Sequence, residues 1–239
     1  PIFQKRILKA KAIPSDVIIS GIIILLITLP IWKVNNKKIE QEEKTISIIS
    51  ALKIKGVPFL LFGFFAYCAL ESTTMQWAST YFVEVKGIDA SHAASFASLF
   101  YIGITLGRFI SGFITEKLGD RKMIILGSTI LAFGIILLFI PTTSYLISVI
   151  SFIIIGLGCG PIYPCIIHST PNNFGKENAG AIIGIQMASA YFGSTFIPPL
   201  FGLLGNFIGF KFMPIYLIIF MILMISMTQL TFSITKKEK

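Results

Sequence analysis

Apolar residues in this chain gather into blocks about as long as a bilayer is thick, and that spacing limits the available folds. A helix needs about 20 apolar residues to cross roughly 30 Å of hydrocarbon. Seven stretches approach that length: Ile13–Trp32, Val57–Val83, Ala93–Ile114, Met123–Ile140, Tyr145–Ile167, Ala179–Leu204 and Phe212–Phe232. Barrel strands are about ten residues long and alternate between lipid-facing and lumen-facing side chains, a pattern these blocks lack. Helices satisfy their own backbone groups in lipid, so the chain reads as an all-α membrane protein with seven transmembrane helices. Pro161, Pro164 and Pro198 do not contradict this, because membrane helices tolerate proline.

Charge orients these spans. Only 13% of residues are charged and mean hydropathy is +0.83, about half the charged share of a soluble domain. With residues 33–56 placed in the cytoplasm, Lys33, Lys37, Lys38, Lys44, Lys53, Lys55, Lys117, Arg121, Lys122, Lys176, Lys236, Lys237 and Lys239 fall inside. Lys5, Arg6, Lys9, Lys11, Lys86 and Lys211 fall outside, so thirteen bases against six set this orientation and a cytoplasmic C-terminus. The basic N-terminal stretch runs against the rule. The net charge of +9 then marks helix ends, and no nucleic-acid partner is expected. Cys68, Cys159 and Cys165 lie inside spans without zinc-ligand spacing, so they read as small apolar residues. No metal site, no cofactor and no enzymatic constellation are expected.

Glu71 is the one acid well inside a predicted span. An ionised carboxylate there costs several kcal/mol as a rough figure, so such acids face a cavity or a partner. Two readings stay open: a proton-coupling or substrate-binding group, or a hydrogen-bonded pin between helices. At 100° per residue, Tyr67, Thr74, Met75 and Ala78 share its face, and Tyr67 and Thr74 are candidate cavity residues. Tyr163 and Gln186, each in a glycine-rich helix, are further candidates for binding a hydroxylated substrate; Tyr191 is a weaker one. Arg108, about a turn and a half inside its helix end, either snorkels to the headgroups or pairs with an acid or an anionic substrate group. His168 reads as a polar residue at a helix end. Gly103 with Gly107, and Gly180 with Gly184, are spaced for close helix approach.

A short charged hinge, GFITEKLGDRK from Gly112 to Lys122, joins the third and fourth apolar blocks. Gly112, Glu116, Lys117, Gly119, Arg121 and Lys122 follow the order glycine, three residues, acid, base, any residue, glycine, any residue, two bases. This resembles the signature loop of the major facilitator superfamily, with Glu116 and Lys117 where the family more often has Asp and Arg. The resemblance implies a cytoplasmic gating latch. Glu116 sits where its own helix dipole disfavours an acid, so its partner is expected to be Arg121, Lys122 or another helix's N-terminus. Residues 64–83, 103–113, 156–164 and 186–202 resemble helices of the second half in the fucose-permease-like branch.

That resemblance implies the sixth helix plus the C-terminal six-helix half of a twelve-helix transporter. Residues 1–32 would be an outer connection and the last helix of the first half. Residues 33–56 would be the central cytoplasmic loop, and 57–239 the second half. The chain opens on Pro1 with its first methionine at Met75, so a missing N-terminal half is an expected partner. The implied activity is secondary active transport by alternating access of a small polar, sugar-like metabolite, coupled to protons, in a microbial inner or plasma membrane. Efflux by antiport, or an inactive half-transporter with only a structural role, are the alternatives.

Overall fold

The structure is a computed structural model that describes residues 46–140 and 145–237. Its helices are α1 (Ile48–Lys53), α2 (Val57–Lys86), α3 (Ala90–Leu118), α4 (Asp120–Leu138), α5 (Tyr145–Phe174), α6 (Lys176–Ile208) and α7 (Met213–Lys237), with a 3-10 turn at Phe210–Phe212 before α7. No strand occurs among the described residues. The six long helices match six of the seven predicted spans and are apolar and long enough to cross a membrane. The seventh, Ile13–Trp32, lies outside the described residues. The segment read as the central loop, 33–56, carries the short helix α1 in its described part.

Each long helix runs past its apolar stretch, because backbone hydrogen bonding continues wherever capping allows. At the end of α2, Gly87 adopts φ 66° and the N–H groups of Gly87 and Ile88 close on the carbonyls of Val83 and Phe82 at 3.1 and 3.2 Å, a glycine stop of the Schellman kind. The next helix begins at Asp89, whose carboxylate accepts from the N–H groups of Ser91 and His92 at 3.0 and 3.2 Å. Those donors are orphans at any helix start. The Ser91 hydroxyl and the His92 ring also donate to this carboxylate, and these side-chain hydrogen bonds, joined by the backbone ones, hold the Asp89 carboxyl well below its ordinary range.

The helix α5 lies between α3 and α4, packed closely against both. Gly156 and Gly160 meet Gly103 and Gly107 of α3, while Gly158 meets Gly127 and Leu131 of α4. A Cβ at Gly103 or Gly107 would collide with the carbonyl oxygens of Ile153 or Leu157. Pro161 removes the N–H that would have closed on Leu157, and that carbonyl is the one turned toward Gly107. The predicted pair on α6 behaves differently. Gly184 faces open space and Gly180 is exposed, so this pair makes no helix crossing among the described residues.

Across the bundle, α2 packs chiefly on α6 and α7. Side chains reach backbone carbonyls here: between α2 and α6, Trp77 Nε1 donates to Pro198 and Ser189 Oγ to Leu61, both at 2.8 Å, and between α7 and α6, Tyr216 donates to Ile197 at 3.2 Å. Bonds of this type between membrane helices contribute about 0.6 kcal/mol each, so packing carries most of the stability. The buried centre is aromatic, with Phe64, Tyr67, Phe82, Phe100 and Phe152 fully enclosed.

Candidate functional site

The polar face of α2 turns inward. Tyr67 and Thr74 are fully buried. The Tyr67 hydroxyl donates to the Cys159 carbonyl of α5 at 2.9 Å, and the Thr74 hydroxyl donates back to Leu70 at 2.9 Å. Both predicted cavity residues therefore sit in a helix seam of this bundle. Glu71 lies at the margin of the same face with its side chain 13% exposed. Its carboxylate meets the Tyr67 hydroxyl one turn earlier and the Arg108 guanidinium of α3, Oε1 to Nη2, at 3.7 Å. The lone intramembrane acid thus has polar neighbours on two helices.

Arg108 lies ten residues before the end of α3, about 15 Å along the axis at 1.5 Å per residue. It is therefore deeper than the turn and a half expected from the apolar boundary. Half of its side chain is exposed, and it opens onto a cavity of about 650 Å³ between α3, α5 and the start of α4. Ser111, Gly112, Thr115, Glu116, Gly119 and Asp120 line one side of it, with Tyr163, Pro164, Cys165, His168 and Asn172 opposite. Tyr163 is held there by Phe64, ring centroids 4.9 Å apart, and its hydroxyl contacts the Met187 sulfur at 3.4 Å. Gln186 lies outside this wall. It is fully buried and accepts from Thr170 at 3.1 Å, and its Nε2 has no hydrogen-bond partner.

The charged hinge forms the cavity's end. A single residue, Gly119 at φ 77° and ψ 157°, separates α3 from α4. Only glycine adopts that backbone region readily, which explains its place in the spacing. Glu116 and Lys117 are exposed in the last turn of α3, and Glu116 forms no ion pair among the described residues. The expected Glu116–Arg121 contact is absent because Arg121, already on α4, turns to α7. There its Nε donates to Gln229 at 2.9 Å and its guanidinium lies 5.9 Å from the Phe232 ring centre. Lys122 is exposed.

One pairing escaped the sequence reading. Asp120, at a motif position open to any residue, meets His168 Nδ1 at 2.9 Å and joins the start of α4 to α5. Its available signal was an acid in a helix's first turn, where the dipole favours it. His168 is not at a helix end as expected, since α5 continues through Pro171 to Phe174. Ser169 and Thr170 donate to the Ile166 carbonyl in this stretch. No cluster of metal-ligating side chains occurs among the described residues.

A bundle of six membrane-length helices, with a buried acid–base pair beside a polar-rimmed cavity, defines a polytopic helical membrane protein. The model of the Major Facilitator Superfamily matches residues 86–239, and the chain belongs to that family. An uncharacterized MFS-type transporter of Yersinia pestis is 28% identical over 116 residues, covering 48% of this chain and 30% of that protein. A probable nitrate/nitrite antiporter of Thermus thermophilus is 25% identical over 195 residues, 74% of this chain and 42% of that protein. The chain thus spans less than half the length of these relatives. The fold matches the transporter FucP in its outward conformation with a TM-score of 0.71 at 15% identity, over 95% of this chain and 60% of that one. A variant of the E. coli fucose:proton symporter FucP aligns at 0.66 and 14% identity, over 77% and 44%.

Proposed function

We propose that this chain supplies one wall of the solute path in a secondary active transporter working by alternating access. Residues 57–239 form the second six-helix half. Residues 1–32 complete a preceding half, and 33–56 bridge the two inside the cytoplasm. The cargo is a small polar, sugar-like metabolite, and protons drive its uptake across a microbial plasma or inner membrane. The observation that carries this reading is the Glu71–Arg108 pair at 3.7 Å, one partner enclosed and the other opening onto the cavity.

The chemistry follows from that asymmetry. An ionised Glu71 holds the guanidinium; a protonated one releases it to hydrogen-bond a substrate hydroxyl. Proton uptake and substrate capture are then linked through one side chain, with Tyr163 on the opposite wall as a second donor. Tyr67 and Gln186 support the site by tying α2 to α5 and α6 to α5, while Thr74, bonded within α2, fills the seam beside them. The loop residues Gly112, Glu116, Lys117, Gly119, Arg121 and Lys122 close the cytoplasmic end in one state of the cycle.

Uptake of labelled sugars into proteoliposomes of the full-length transporter, with and without an inward proton gradient, tests this. Glu71→Gln is expected to abolish gradient-driven uptake by 10-fold or more, on the order of one lost coupling interaction, while retaining exchange. Unchanged uptake would remove Glu71 from coupling. An antiporter reading draws on the similarity to the probable nitrate/nitrite antiporter of Thermus thermophilus, and outward proton gradients driving accumulation would favour it. A chain that binds no substrate even when joined to its missing half would leave only a structural role.

A further inference from the structure

A smaller cleft lies at the same end of the bundle as the charged hinge, between α4, α5 and α7. Its volume is about 210 Å³, and Arg121, Asn173, Phe232, Thr235 and Lys236 line it. We infer that this cleft is a binding site for a phosphate group, occupied in the membrane by the headgroup of an anionic phospholipid.

The cleft presents two cations and no acid among its lining residues. Arg121 is oriented before any ligand arrives. Gln229 takes its Nε, and the Phe232 ring lies beside the guanidinium, which leaves the terminal fork of N–H groups for a bidentate acceptor. Such forks match phosphate oxygens in geometry. Lys236 supplies an exposed point charge one helical turn beyond Phe232. A donor is also waiting: Asn173 Nδ2 is buried and has no hydrogen-bond partner, while its Oδ1 already accepts from Thr235 at 3.3 Å. A buried amide N–H without an acceptor carries a desolvation penalty that an incoming anionic oxygen would remove.

The surroundings favour a lipid over a free anion. One turn deeper on each helix, below Arg121 and Lys236, stand Ile125 and Phe232, and Ile125 is 45% exposed. A cation above an apolar residue on the lipid-facing side of a membrane helix is the arrangement that accepts a headgroup and its acyl chain together. Cationic groups close to an anionic membrane surface each gain roughly 5-fold in affinity for it.

Native mass spectrometry of the full-length transporter, titrated with phosphatidylglycerol and separately with phosphatidylcholine, tests the inference. Phosphatidylglycerol should be retained preferentially. Arg121→Gln and Lys236→Gln should each weaken its retention about 5-fold and together about 25-fold, with Arg121→Lys restoring part of the loss. Inorganic phosphate added as a competitor separates the sources. If it displaces no lipid, the headgroup assignment stands; if it binds with the same dependence on both cations while lipid does not, the phosphate site stands with a soluble ligand. Equal retention of both lipids by wild type and double variant overturns the inference, as does failure of both phosphate sources to bind. Lys236→Gln alone, at an exposed position, carries the test if the Arg121 variant does not fold.

Discussion

At the scale of single residues, the glycines of this chain separate into two physical kinds, and substitutions should tell them apart. Gly107 is required for space, because an added Cβ meets the α5 backbone, which cannot move aside as a side chain can. Gly107→Ala is expected to destabilise by about 1–3 kcal/mol through overpacking, read as a lowered unfolding midpoint in detergent. Gly119 has open space around it but a backbone conformation that other residues avoid. Gly119→Ala should lose a similar amount, roughly 1–3 kcal/mol, through strain. Gly112 has neither constraint among the described residues, and Gly112→Ala is expected to leave the midpoint unchanged. A large loss at Gly112 would show that another element packs there. All three glycines share the signature spacing or its neighbourhood in the sequence, yet spacing alone did not reveal which was steric and which conformational.

At the scale of elements, the existence of each described span was legible in its apolar length, whereas its ends were not. The polar turn of α3 beyond Ile114 remains helical because nothing in its backbone forbids it, and that of α5 beyond Ile167 does so despite Pro171, which gives up one backbone hydrogen bond. That extension moved Arg108 deeper and placed His168 within a helix beside Asp120. Pairings between helices, Asp120 with His168 and Arg121 with Gln229, depend on rotation about helix axes that one sequence does not encode locally. The start of α3 offers a test at this scale. The Asp89 carboxyl is pulled below its ordinary range by hydrogen bonds from Ser91 and His92. A depressed folded-state pKa means the cap contributes fully above the unfolded value and loses its contribution as pH falls through the folded one. Acidification should therefore lower the protection of the Ser91 and His92 amides relative to their unstructured exchange rates, and Asp89→Ala should show the same low protection already at neutral pH. Exchange unaffected by the substitution would exclude the carboxylate as the cap.

At the scale of the whole molecule, the face shared by Tyr67, Glu71 and Thr74 was read correctly from helical periodicity, but its surroundings were not. Tyr67 and Thr74 pack into a seam and Glu71 meets a cation, because α3 and α5 close over them. Accessibility labelling tests whether the hinge takes part in the proposed alternating access. Neutralising Glu116 by Glu116→Gln is expected to shift the balance of inward- and outward-open forms, and labelling indistinguishable from wild type would count against a gating role.

The joints between helices differ from one rim of the bundle to the other. Gly119 and Gly175 are each the sole residue between consecutive long helices, while at the opposite rim α2 and α3 are joined by Gly87–Asp89, and α6 and α7 by Gly209 and a 3-10 turn. A fan riveted at its base opens only at the free edge. Tilting of one helix pair against another should likewise be small beside the two glycine rivets and widen with distance from them.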